Sequence, residues 1–94
     1  MIYGAMRDKA VAEITAVLFP QADHVILTAP NQARAVRPES IRELTDHPSM
    51  QIAPTLRDAL TLIQSASDEA VVLITGSLFL VGESKVLIQD RQVV

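Results

Sequence analysis

Residues 71–74, Val-Val-Leu-Ile, are apolar at every position rather than at every second one. A strand with one face in water alternates, so an unbroken run predicts a strand covered on both faces. Such cover needs helices above and below a sheet, and the rest of the chain supplies them. Ile2-Tyr3 is a short β-type run closed by Gly4. From Asp8 onward, Val11, Ile14, Val17 and Leu18 recur with helical spacing until Pro20. His24 to Thr28 reads as a second strand, ended by Ala29-Pro30-Asn31. Pro38 suits the first turn of a helix, with Glu39 at its positive end and Ile41 and Leu44 as the inner face. Met50 to Ala53 makes a third short strand. Thr55 is placed to cap a helix whose face is Leu56, Ala59, Leu60 and Ile63. After the 71–74 strand, Gly76-Ser77 precedes a last helix from near Leu78 to about Lys85. The tail, VLIQDRQVV, is open between helix extension, an extra edge strand and a loose end.

Strand and helix alternating four times predicts an α/β fold: a Rossmann-like three-layer α/β/α domain with a mainly parallel sheet, spanning 1–94 as one domain. The expected strand order is 3-2-1-4, with right-handed crossovers. That order places the ligand crevice at the carboxyl ends of strands 1 and 4. The loops meeting there are Gly4 to Lys9 and Thr75 to Leu78, which hold two of the three glycines in the chain.

Composition narrows the chemistry. A chain of 94 residues buries roughly 60–65% of its unfolded surface, enough for one core without staples. Cysteine is absent, which removes disulfides and thiolate metal sites. A net charge of −3 argues against broad binding to nucleic acid or anionic membranes. One Tyr and two Phe provide no base-stacking platform. No apolar run approaches the ~20 residues of a membrane span, and no signal-type segment is seen. The expectation is a cytoplasmic protein. Met1 stands directly against Ile2-Tyr3-Gly4 without a lead-in, as in a piece of a longer chain.

Neither G-x-G-x-x-G nor G-x-x-x-x-G-K-[ST] occurs, so independent dinucleotide or phosphate-loop binding is not expected. Ser77 lies in T-G-S-L-F, which is not the G-x-S-x-G nucleophile elbow. His24 and His47 form no triad order and read as surface residues, and no His/Asp/Glu cluster has metal spacing. Lys9 stands at a helix start, where a cation is unfavourable, while Asp8 beside it is a favourable cap. Lys9 is therefore either solvated or the partner of an anion that also takes N–H groups from a helix end. Ser77 is either a plain N-cap or a hydroxyl donor to a carboxylate or phosphate. Arg34 and Arg37 lie in the loop after strand 2, away from the central crevice but at the same edge.

GAMRDKAVAEI, LTAP with its following RA, and ITGSLFLVGE together resemble the carboxyl-terminal domain of folylpolyglutamate synthase/dihydrofolate synthase. The likeness covers almost the whole chain, with the two main motifs about 70 residues apart and in order. The resemblance implies an ATP- and Mg²⁺-dependent amide-forming ligase of the Mur type. In it a folate-type carboxylate becomes an acyl phosphate and the amino group of L-glutamate attacks it. It implies that Lys9 and Ser77 hold glutamate carboxylates, with Asp8 beside them, Gly76 allowing close backbone approach and Phe79 packing nearby. Arg34 would then be the cofactor-side residue. Partners would be the N-terminal and central ATPase domain of the same enzyme. Two departures stand out: Ala10 replaces the second aspartate of Asp-Lys-Asp, and Ser84-Lys85 replaces the usual ending of the last motif. The ATPase domain, its phosphate loop and its Mg²⁺ ligands are not in this sequence. The expectation is a domain that binds no ATP and ligates nothing alone. The competing readings are a stand-alone anion or small-molecule binding module, and a regulatory domain with a vestigial crevice.

Overall fold

The computed structural model describes residues 1–7, 10–63, 74–76 and 78–92. Its strands are β1 (Ile2–Tyr3), β2 (Val25–Leu27), β3 (Met50–Ile52) and β4 (Ile74–Thr75). Its helices are α1 (Val11–Leu18), α2 (Pro38–Leu44), α3 (Leu56–Leu62) and α4 (Leu78–Gln92), and a 3-10 turn, Phe19–Gln21, continues α1. The sheet runs β3-β2-β1-β4. All three pairings are parallel: Ile2 lies beside Ile26 and Ile74, and Val25 beside Met50. The expected α/β fold and strand order are both observed. Of the apolar run that opens the argument, Ile74 falls in β4, and Val71 to Leu73 lie outside the described residues.

The period-2 geometry of the strands sorts their side chains into two cores. Ile2 and Ile26 point to one face and join Leu56, Ala59 and Leu60 of α3 and Leu80 of α4. Tyr3, Val25 and Leu27 point to the other and join Val11 of α1, Phe19 of the 3-10 turn and Ile41 of α2. Helices thus cover both faces, as short strands with apolar residues on every side require.

Several local readings need correction. Val17 is 65% exposed. It lies six residues after the buried Val11, a rotation of about 240° that carries it off the inner face, and the buried partner at i+4 is Thr15. The Thr15 hydroxyl is tolerated there because it donates to the Val11 carbonyl at 2.8 Å. Leu44 is 58% exposed. As the last residue of α2 it borders an open cleft with Ala12, Ala16 and Pro20 instead of reaching the sheet. The N-cap of α1 falls on Ala10, with no side-chain cap bond, so the cap position is not that of Asp8. The tail is helical to Gln92 and adds no edge strand to the described sheet.

Candidate functional site

The exits of β1, β2 and β4 meet at the carboxyl edge of the sheet. The Gly4 N–H donates to the Thr75 carbonyl at 3.3 Å, and the Thr28 N–H donates to the Tyr3 carbonyl at 2.9 Å. Glycine is required where these exits touch. A Cβ on Gly4 would stand 2.8 Å from the Thr28 carbonyl oxygen. A Cβ on Gly76 would stand 2.3 Å from the Gly4 carbonyl oxygen and 2.8 Å from the Tyr3 ring, and Gly76 has φ +105°. The backbone that Gly76 approaches closely is that of Gly4, at the exit of β1.

The loop leaving β1 then pairs with the connection after β2. The Val36 N–H donates to the Ala5 carbonyl at 2.8 Å, and the Arg7 N–H to the Arg34 carbonyl at 2.9 Å. Between them Met6 and Ala35 form an antiparallel bridge. Arg34, which the sequence sets apart from the crevice, is therefore fastened to one of its two loops. Both Arg7 and Arg34 are exposed. Arg37 lies 3.9 Å from Glu39 in an exposed ion pair, a contact worth little in stability. From α4, Glu83 accepts the Asn31 N–H at 2.5 Å and ties the β2 connection to the last helix.

Two buried hydroxyls, those of Tyr3 and Thr28, have no hydrogen-bond partner among the described residues. Burial pushes the Tyr3 phenol above its usual pKa. Lys9, Asp8 and Ser77 lie outside the described residues, as does the side chain of Phe79. What the structure gives is the pair of stems that lead to them.

The histidines are not free surface residues. His24 is half-buried, hydrogen-bonded to the Ser49 hydroxyl and, at 2.8 Å, to the Gln51 side chain. His47 donates from Nε2 to the Ala22 carbonyl at 2.7 Å and accepts the Ser49 N–H at Nδ1 at 3.0 Å. Both sit at the amino edge of the sheet, where they brace the strands' entry rather than the crevice. An open cleft there, lined by Arg42, Thr45, Asp46 and His47, also lies away from the crevice.

The family model of the Mur ligase glutamate ligase domain matches residues 1–78, from β1 to the first residue of α4. The chain belongs to that family. Folylpolyglutamate synthase of Mycobacterium tuberculosis, solved with ADP and AMPPCP, matches this Mur ligase domain with a TM-score of 0.80 and 28% identity. A structure of the same enzyme with ADP gives a TM-score of 0.79 and 26% identity. In each case 92% of this chain is covered but only 22% of the other. No match is found among curated proteins. The resemblance read from GAMRDKAVAEI and ITGSLFLVGE is borne out.

Within this Mur ligase domain, sequence reasoning passed over Arg7, Asn31 and Glu83. The 3-2-1-4 order makes the loops after strands 1 and 2 neighbours, but the register that brings Arg7 to Arg34 is not contained in it. Glu83 ends the ITGSLFLVGE motif, and its position on the helix that follows the crevice loop is the clue to its reach. Among the described residues no group of three or more His, Asp or Glu is set to hold a metal. No helix among them is long and apolar enough to cross a membrane.

Proposed function

We propose that this chain is the carboxyl-terminal domain of a cytoplasmic, ATP-dependent ligase that joins L-glutamate to a folate-type carboxylate. Its task is to present glutamate to an acyl phosphate formed on the remaining domains. The observation that carries this reading is the direct contact of the β1 and β4 exits, Gly4 N–H to Thr75 O at 3.3 Å, in a chain of the Mur ligase family. The loops bearing Lys9 and Ser77 therefore leave the sheet side by side.

Glutamate suits such a place. Its carboxylates would take the Lys9 ammonium, the Ser77 hydroxyl and N–H groups at the start of α4, all charge-assisted or dipole-favoured contacts. Held by its carboxylates, the substrate keeps its amine free. The neutral amine nitrogen attacks the acyl carbon, the amide C–N bond forms, the C–O bond to phosphate breaks, and inorganic phosphate leaves with the proton that the nitrogen gives up. Closure of this domain over the ATPase domain would exclude water from the acyl phosphate. ATP supplies the phosphoryl group when bound, and Arg34 is the residue of this chain assigned to its side of the site. On this reading Mg²⁺ would be held by the other domains with the ATP phosphates, and the isolated chain would ligate nothing.

The test is a domain exchange. A folylpolyglutamate synthase whose carboxyl-terminal domain is replaced by this chain should form ADP in a glutamate- and folate-dependent manner. The same enzyme truncated before that domain should not. An exchanged enzyme that folds, binds ATP and never ligates glutamate would refute the reading.

A further inference from the structure

We infer that Arg7 and Arg34 form a paired guanidinium site for an oxyanion of two or more charges at the mouth of the crevice. The bridge between Met6 and Ala35, with the flanking bonds from Val36 to Ala5 and from Arg7 to Arg34, sets Arg7 directly opposite Arg34. One hydrogen bond, from the Arg7 N–H to the Arg34 carbonyl, joins the two residues beside that bridge and makes them close neighbours. Like charges placed directly opposite oppose folding. Both side chains are exposed, and neither has an ion-pair partner among the described residues. Among the described residues, the acids near this edge are engaged elsewhere: Glu39 pairs with Arg37, and Glu83 accepts the Asn31 N–H. An unfavourable pair of this kind, in a chain of net charge −3, is compensated when an anion bridges it. Two planar guanidinium forks match carboxylate and phosphate oxygens in a way that ammonium groups do not.

The site rests on this pairing alone. Only its occupant rests on the function proposed above, which offers two sources of the same chemistry: the phosphate chain of a nucleotide and the carboxylates of glutamate. Titration of the ¹⁵N-labelled chain with pyrophosphate, L-glutamate and acetate, followed at the Arg7 and Arg34 amide and Nε–H signals, separates them. Saturable shifts at both residues are expected with pyrophosphate or with glutamate, whichever is the source, and not with acetate. Arg7→Gln and Arg34→Gln should each weaken that binding about tenfold, and Arg7→Lys should fail to restore it. Neither Gln variant should lower the thermal midpoint, because each relieves the like-charge pair. Pyrophosphate binding that persists while the exchanged ligase ignores glutamate would leave the site standing and remove the glutamate reading. The inference is overturned if neither pyrophosphate nor glutamate gives saturable shifts, if Arg7→Gln binds as tightly as the unaltered chain, or if Arg7→Gln lowers the midpoint.

Discussion

Gly76 and Gly82 lie six residues apart in the last motif and meet opposite demands. At Gly76 a side chain would need both a positive φ and space that the Gly4 carbonyl oxygen occupies. At Gly82, exposed on α4, a Cβ would meet nothing within 4 Å. Gly76→Ala is therefore expected to destabilise by roughly 3 kcal/mol or more. Gly82→Ala should stabilise by about 0.5–1 kcal/mol through the helix, and urea denaturation reads both. Tyr3 gives a second test at this scale, because it is the one tyrosine in the chain and its absorbance reports its own ionisation. Burial raises its folded pKa, so above about pH 10 the unfolded chain loses this proton first. The stabilising contribution is full below the unfolded pKa and falls as pH rises toward the folded one. Tyr3→Phe should abolish that alkaline loss. It should also raise stability at neutral pH by up to about 1 kcal/mol, since it removes a buried hydroxyl without a partner among the described residues. A tyrosinate signal rising freely near pH 10 in the folded chain would contradict the burial.

At the scale of elements, the segments with a strong local signal were legible. Pro38 begins α2 as its fixed φ and missing N–H suggest. Thr55 caps α3, accepting the Asp58 N–H at 3.2 Å and donating to the Asp58 carboxylate at 2.9 Å. Thr55→Ala should cost about 1 kcal/mol in thermal or urea unfolding, and Thr55→Ser should recover most of it. Equal stability of all three proteins would show that the cap does not hold α3. What local pattern misread depends on tertiary placement. Val17 and Leu44 fit a helical repeat, yet which flank is covered is decided by where α1 and α2 lie on the sheet. The tail carried Gln89, Asp90 and Arg91 among its apolar residues, a mixture that fits a helix on a surface as well as a loose end. The histidines were misread for a similar reason. Their partners, Ser49, Gln51 and Ala22, come from other segments that only the fold brings near.

For the whole molecule, the order β3-β2-β1-β4 does most of the functional work. It makes β1 and β4 neighbours, which sets the Gly4 and Gly76 exits in contact, and it makes β2 the other neighbour of β1, which brings Arg34 to Arg7. The crevice was legible because strand alternation implies that order and the order implies its location. The arginine pair was not, because it depends on the register of two loops with no repeating pattern. Family membership and the likeness to folylpolyglutamate synthase then give the crevice a proposed guest, glutamate. That claim is tested most directly by steady-state kinetics of the ligase carrying this domain, with Lys9→Ala and Ser77→Ala. The account predicts a KM for L-glutamate raised about tenfold or more by each change, with the KM for ATP nearly unchanged. Unaltered glutamate kinetics in both variants, or an equal loss for glutamate and ATP, would contradict it.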